Sequence, residues 1–74
     1  MQYAVGDKVK LKLYETIKKD LVLLGFEGKS RINSLYIAIA DKVCQVINVT
    51  EKGVYIDAAE NELLPDWILE KVEA

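Results

Sequence analysis

The stretch DKVCQVINVTEKGVYID, residues 41–57, contains two runs rich in β-branched side chains, separated by Thr50-Glu51-Lys52-Gly53. Valine, isoleucine and threonine favour strands, and a short polar segment that ends in glycine favours a tight turn. The stretch therefore predicts a β-hairpin, with Gly53 in the left-handed conformation at the end of its loop. It is the clearest local signal in the chain and indicates a fold built mainly from strands.

The first arm of this hairpin does not keep a regular alternation. In a regular strand Cys44 and Val46 share one face, whereas the apolar residues Ile47 and Val49 share the other. One extra residue at Ile47-Asn48 would bring Val49 back to the face of Cys44 and Val46. We therefore predict a β-bulge at this position and a strongly curved strand.

The N-terminal stretch GDKVKLKL, residues 6–13, alternates apolar and charged side chains. Val9, Leu11 and Leu13 share one side, and lysines stand between them. A period of two predicts a half-buried strand. Lysines on the outer side also discourage pairing with another chain, which is a structural reason for their presence.

The C-terminal part of the sequence predicts a turn and a closing strand. Residues 58–62, AAENE, are polar and are predicted to form a connection after the hairpin. Pro65 has no N–H to donate in a central strand, so residues 64–67 are predicted to form a short 3-10 turn. The last strand is then expected over residues 68–72.

Residues 14–40 form the part of the chain for which the pattern leaves two structures open. Apolar residues recur at spacings of three and four from Tyr14 to Leu24, which favours a short helix stopped by Gly25. The same residues are also compatible with one arm of a long hairpin that turns at Glu27-Gly28.

The second half of this segment is equally open. Gly28-Lys29-Ser30-Arg31 is predicted to be an exposed loop, because one glycine and three polar residues separate two apolar stretches. As a strand, the residues that follow would be apolar on both faces. As a helix they would begin at Asn33 or Ser34. The side chains that such a helix would bury are Leu35, Ala38 and Ile39.

The composition predicts one folded domain that spans residues 1–74. Hydrophobic residues make up 51% and charged residues 30% of the chain, and a chain this short supports a single core. Its one cysteine excludes an intrachain disulfide, so we expect a reducing cytoplasm. Neither a leader-like pattern nor an apolar run of about 18 residues is present, so no membrane association is expected.

In their order along the chain, these elements resemble the small SH3-like β-barrel proteins of bacteriophages and prophages. The matching residues are Gly6-Asp7-Lys8-Val9, Asn33-Ser34, Lys42 with Val46, Gly53 with Tyr55, and Pro65-Asp66-Trp67-Ile68-Leu69. The chain departs from the family at Asp41, where glycine is usual, and in a longer early loop. The resemblance implies a mainly β fold, a small SH3-like barrel of about five strands. It also implies a long early loop that carries a short helix, and a 3-10 turn before the last strand. The phage or prophage type further implies that the protein acts in the cytoplasm of a bacterial host.

The residue types argue against catalysis. The chain has no histidine, which removes the commonest general base and the commonest metal ligand together. Cys44 lies in an apolar strand, where a thiol is structural rather than nucleophilic. The carboxylates of residues 57–66 do not follow the spacing of a calcium loop. We therefore expect a protein that is not an enzyme and needs no cofactor and no metal.

A protein partner or self-association is the expected mode of action, and no small-molecule substrate is implied. In the barrels that the sequence resembles, the early loop lies near the turn before the last strand, which would form an aromatic groove. The residues predicted for that groove are Tyr14, Tyr36 and Trp67. An exposed apolar patch around Tyr36 and Ile37 is the other predicted contact surface.

A small nucleic-acid-binding barrel is the alternative prediction. Residues 1–37 carry seven lysines and arginines against four carboxylates, although the whole chain has a net charge of −2. A basic face of this kind would bind the phosphate backbone and would release its ligand in salt. The residues predicted for this alternative are Lys8, Lys10, Lys12, Lys29 and Arg31.

Overall fold

Five antiparallel strands form an open sheet in the computed structural model, which describes residues 3–72. In chain order they are β1 (Lys8–Leu11), β2 (Cys44–Thr50), β3 (Gly53–Ile56), β4 (Ala59–Leu64) and β5 (Leu69–Lys71). The order across the sheet is β4-β3-β2-β1-β5. The predicted mainly β fold is therefore confirmed. Closure into a barrel is not shown, because β4 and β5 stand at opposite ends of the strand order.

Helical structure fills the chain between β1 and β2. Its elements are α1 (Tyr14–Ile17), a 3-10 turn (Asp20–Leu24) and α2 (Gly25–Ile39). The predicted long loop with one short helix is thus mostly helical, and α2 alone has 15 residues. A second 3-10 turn, Asp66–Ile68, precedes β5 and confirms the predicted turn before the last strand.

The sequence forms α2 because one stripe of its side chains reaches the core. Ile32, Tyr36 and Ile39 recur at spacings of four and three and are buried. Leu35, which was predicted to be buried, is half-buried, and the prediction for Ala38 is wrong because its side chain is exposed. The helix begins at Gly25 rather than at Asn33 or Ser34, and its buried stripe is centred on Tyr36.

The predicted loop in this segment is wrong, and the hairpin that the sequence left open as an alternative is not formed. Gly28-Lys29-Ser30-Arg31 is not a loop and Glu27-Gly28 is not a hairpin turn, because both lie within α2. Gly28 has a packing role there, since an added Cβ would lie 2.7 Å from the Leu24 Cβ. Gly25 ends the preceding 3-10 turn with a φ of 71° and a ψ of −179°, so it stops the turn with a positive φ that favours glycine but without the left-handed helical conformation.

The predicted bulge in β2 is confirmed. The pairing with β3 shifts register between Val46 and Asn48, which makes Ile47 the extra residue. Ile47 and Asn48 are both exposed at the bulge. Cys44 and Val46 are buried before it, and Val49 is half-buried after it. The bulge therefore keeps the apolar face of β2 directed at the core on both sides of the irregularity.

Gly53 is required by close packing rather than by a left-handed conformation. It opens β3 with a φ of 159°, which is close to extended. A Cβ at this position would collide with the backbone oxygen of Leu64 in β4. The turn before it is shaped by Thr50, whose hydroxyl oxygen accepts from the N–H groups of Lys52 and Gly53, each at 3.2 Å. Glycine thus allows β4 to lie close to β3.

The first strand is shorter than the alternation predicts. Val9 and Leu11 are buried in β1, as expected. Leu13 is 77% exposed, so its predicted burial is wrong. The reason is that β1 ends at Leu11, where the chain leaves the sheet toward α1, and the period of two no longer applies.

The polar residues after the hairpin also depart from the prediction. Residues 58–62 were predicted to be a connection, but most of them belong to β4. Their side chains are largely exposed because β4 is an edge strand, with β3 as its neighbour in the sheet. Charged and polar side chains on an edge strand discourage pairing with other chains.

One apolar cluster joins the helical segment to the sheet. Val9, Val46 and Ile56 contribute from the strands, and Leu21 and Tyr36 contribute from the helical side. Within residues 3–72, no buried side-chain nitrogen or oxygen lacks a hydrogen-bond partner. The helical segment is therefore part of the core.

Leu21 and Leu23 provide a matched test of this arrangement, because they stand in the same 3-10 turn with 0% and 79% of their surface exposed. Leu21→Ala is expected to lower the free energy of unfolding by about 2–5 kcal/mol through loss of burial and cavity formation. Leu23→Ala is expected to change it by no more than about 0.5 kcal/mol. Urea unfolding measures both, and equal effects would contradict the packing of this turn.

Gly53 provides a second test. Gly53→Ala is expected to cost about 1–3 kcal/mol, because the new methyl group displaces the Leu64 carbonyl and with it β4. Lys52→Ala, in the exposed loop next to it, is the control and is expected to stay within about 0.5 kcal/mol of the parent protein. Thermal or urea unfolding gives the comparison. A Gly53→Ala protein as stable as the control would rule out the close approach of β4.

Candidate functional site

Tyr14 and Tyr36, two of the three residues predicted for an aromatic groove, are in contact. Their ring centroids lie 5.2 Å apart and their planes meet at 86°, which is the edge-to-face geometry that aromatic pairs favour. The Tyr36 hydroxyl donates to the Lys12 carbonyl oxygen at 2.6 Å, and the Tyr14 hydroxyl donates to Asn33 Oδ1 at 2.9 Å. Both hydroxyls are therefore engaged within the fold.

The cavity beside this pair is small. It measures about 180 Å³, below the range of about 300–1,000 Å³ that is usual for ligand pockets. Lys12 and Glu70 bring charged groups to its rim, together with Lys10 and Asp41. Its size and the engaged hydroxyls indicate that the tyrosine pair mainly joins α1 and α2 to the end of β1.

Trp67, the third predicted groove residue, lies in a neighbouring depression. Tyr3 and Asp66 share that depression with it. Lys12 and Glu70 line both the depression and the tyrosine cavity. The structure therefore places Trp67 next to the tyrosine pair, with a lysine and a glutamate between them, and does not gather the three aromatic rings into one pocket.

Burial perturbs the acidity of two tyrosines in this region. Burial raises the pKa of Tyr36 to about 12, and the carboxylate of Glu70 adds to the shift. Burial also raises the pKa of Tyr3, with further contributions from Asp66 and Glu70. The Tyr3 hydroxyl donates to the Leu69 carbonyl at 2.8 Å. Both phenols are held in their neutral, hydrogen-bonding form by the fold.

The basic residues predicted for nucleic acid do not form one continuous face. Lys10 Nζ lies 3.5 Å from Glu70 Oε1 on the neighbouring strand β5. Arg31 lines a shallow depression together with Glu60 and Glu62 of β4. Lys8 and Lys10 belong to β1 and Lys12 follows it, whereas Lys29 and Arg31 belong to α2. Carboxylates therefore lie beside Lys10 and Arg31, two of the five positive charges that a nucleic-acid groove would need to align.

Cys44 does not have the surroundings of a reactive thiol. It is free and buried in β2. Burial raises the pKa of its thiol, and Asp57 raises it further, whereas Lys42 acts in the opposite direction. A raised pKa lowers the fraction of thiolate, which is the nucleophilic form. The arrangement suits a structural side chain.

Large apolar side chains are exposed along the helical segment. Phe26 and Ile37 of α2 are 89% and 88% exposed, and Val22 and Leu23 of the preceding 3-10 turn are 72% and 79% exposed. We name these four residues the helical apolar surface. Sequence reasoning identified Ile37 but missed Phe26, because their spacing of eleven residues indicates a shared face only once a helix of three turns is known to connect them.

Two further kinds of site are not found in the part of the chain that the structure describes. No group of three or more histidine, cysteine, aspartate or glutamate side chains is arranged to hold a metal ion there. None of the helices within residues 3–72 has the length and apolar character needed to cross a bilayer.

No protein-family model, curated protein or solved structure matches the chain. The helical apolar surface, which carries the two most exposed of the large apolar side chains in residues 3–72, is a feature that the fold itself leaves unexplained.

The pH dependence of stability tests the environment of Tyr36. Because its pKa is about 12 when folded and 10.0 in an unperturbed chain, the folded state retains a proton that the unfolded state loses. The stabilisation is complete below pH 10 and is lost as the pH rises toward 12.

Tyr36→Phe removes this contribution and is expected to cost about 1 kcal/mol at neutral pH through loss of the bond to Lys12. The stability difference between the parent protein and Tyr36→Phe should be constant up to pH 10 and should shrink between pH 10 and 12. Urea unfolding of both proteins in the same buffers cancels the effects of other titrating groups. A difference that stays constant to pH 12 would contradict the buried phenol.

Proposed function

We propose that this protein is a non-catalytic binding module that acts through protein–protein contacts, as an accessory protein of phage or prophage type. The observation that carries the proposal is the helical apolar surface. Phe26 and Ile37 are almost fully exposed on the longest element of the fold, although burying a side chain of this size is worth about 1.5–3 kcal/mol. A contact with another protein would recover that energy.

The surroundings of the surface support a protein partner. Aromatic and large aliphatic side chains are typical of the centres of protein interfaces, where charged residues are scarce. Ser30 lies between Phe26 and Ile37 on this side of α2, and Lys29 and Ser34 flank that line at equal angles, so one charged side chain stands at the margin of the surface. A surface that binds phosphate groups would instead need aligned lysines and arginines. Protein contact is therefore the function that these side chains fit best.

We further propose that the open sheet curls into an SH3-like barrel. After the β2-β3-β4 meander the chain returns to β1, so that the first strand of the fold pairs with the last, β5. Register shifts in the β2-β3 and β3-β4 pairs support strong curvature. The 3-10 turn over Asp66–Ile68 changes the direction of the chain before β5. These are features that a small barrel needs.

The free cysteine supports a reducing cytoplasm as the site of action, and the resemblance to phage and prophage proteins is the basis for proposing a bacterial host. Cys44 is buried in the core and has no partner thiol in the chain. A fold that rests on packing alone is typical of intracellular proteins. The absence of histidine from the sequence and the raised pKa of the Cys44 thiol support a role without catalysis.

The test of this function is capture of a partner by the purified protein, with photo-crosslinking and mass spectrometry to identify what is bound. The double variant Phe26→Ser/Ile37→Ser is expected to lose the partner while its unfolding free energy stays within about 1 kcal/mol of the parent protein. Val5→Ser, at an exposed apolar residue outside the helical apolar surface, is the matched control and is expected to keep the partner. Capture that the double variant retains in full, or that both variants lose, would overturn the proposal.

A further inference from the structure

We infer that the partner of the helical apolar surface is a second copy of this chain, bound through an antiparallel pair of α2 helices. This inference rests on the proposed function and names its partner. Phe26 near the start of α2 would pack against Ile37 near the end of the partner's α2, and the same contact would repeat at the other end of the pair. Such a two-fold interface uses one patch twice and closes on itself.

Phe26 and Ile37 are spaced so that they share one face of α2. Phe26 and Ile37 are eleven residues apart, which is about three helical turns and about 16 Å along the axis. They lie on the same side of the helix, directed away from the stripe of Ile32, Tyr36 and Ile39 that is buried in the core. The helix therefore presents two large apolar side chains at the two ends of one outer face.

A small side chain between Phe26 and Ile37 would allow two copies of α2 to approach closely. Ser30 is small, exposed and close to the midpoint between Phe26 and Ile37, and Lys29 and Ser34 stand to either side of the line that joins them. Helix axes approach to about 8–10 Å, and the closer distances need small side chains at the crossing point. In an antiparallel pair Ser30 of each copy comes close to the two-fold axis, and each large residue meets the large residue at the other end. The face is thus complementary to itself.

The area of the helical apolar surface is close to the apolar area of a small dimer interface. Burying one such side chain removes on the order of 100 Å² of apolar surface, so its four residues supply about 400 Å² in each copy. A stable interface of small standard size buries about 600–800 Å² in each partner, and about two thirds of a homodimer interface is apolar. The exposed residues therefore supply nearly all the apolar area that a small dimer requires.

The position of Val22 and Leu23 extends this surface beyond α2. Their 3-10 turn packs against α2 and ends at Gly25, immediately before Phe26. In the antiparallel pair this turn lies beside the end of the partner helix, at the Ile37 side. The two helix dipoles then point in opposite directions, which is the favourable arrangement for neighbouring helices.

The experiment is sedimentation equilibrium of the full chain from micromolar to millimolar concentration. The parent protein is expected to form dimers and no larger species. Ser30→Glu places like charges next to each other at the two-fold axis and is expected to raise the dimer dissociation constant by about 100-fold. Ala38→Glu adds the same charge at an exposed position of α2 outside this face, and is expected to leave the dissociation constant within about threefold.

Cysteine crosslinking tests the antiparallel geometry. Copies with Phe26→Cys and copies with Ile37→Cys are expected to form a disulfide-linked dimer when mixed, and neither is expected to link with itself. Linking of either variant with itself would overturn the antiparallel arrangement. Circular dichroism and urea unfolding of each variant confirm that the monomer fold is retained.

The outcomes separate this inference from the proposed function. A parent protein that stays monomeric at millimolar concentration, or a dimer that Ser30→Glu leaves intact, overturns the second copy as partner. If such a monomer still captures a different protein in a manner sensitive to Phe26→Ser/Ile37→Ser, the proposed function stands and this inference fails. Binding of the monomer to anionic lipid vesicles, lost in the same double variant, would overturn both.

Discussion

The hydrogen bond from the Tyr36 hydroxyl to the Lys12 carbonyl, 2.6 Å long, joins the helical segment to the sheet at the point where β1 ends. A carbonyl just beyond the end of a strand needs a partner from outside the ladder, because a buried backbone oxygen without one is costly. Tyr36 provides that partner while its ring fills the core and meets Tyr14 edge to face. The placement of α1 and α2, and with it the orientation of the outer face of α2, depends on this contact.

Short-range patterns in the sequence were sufficient for the hairpin and its bulge, because burial alternates along β2 and the turn between Thr50 and Gly53 sets the register. They were not sufficient for residues 14–40. The apolar residues there occupy both the buried stripe around Tyr36 and the outer face that carries Ile37, so the helical period is masked. The need for glycine at position 53 was predictable from the turn, but its physical reason, the approach of β4, is a tertiary contact.

The candidate site was predictable only in part, for a related reason. The contact between Tyr14 and Tyr36 follows from their positions at the start of α1 and in the last turns of α2. Whether the two tyrosines line a binding groove or hold the helices against the sheet depends on the hydrogen-bond partners of their hydroxyl groups. These partners, Lys12 and Asn33, are not indicated by any local sequence pattern. The exposure of Phe26 is likewise decided by which face of α2 the core selects. When both faces of a helix are apolar, its own sequence does not indicate which face will be buried.

Association through a helix rather than through the sheet is consistent with how the edges are built. β4 exposes Glu60 and Glu62, and β5 is only three residues long, so neither edge offers a long apolar strand to another chain. An open edge that paired head to tail would also permit unlimited growth, whereas a self-complementary helix face stops at two copies. Phe26 and Ile37 contribute little to the core of the single chain, because the buried stripe of α2 already fills that role. The two most exposed large apolar side chains of residues 3–72 thus stand on the longest helix, at a place where contact with another chain is self-limiting.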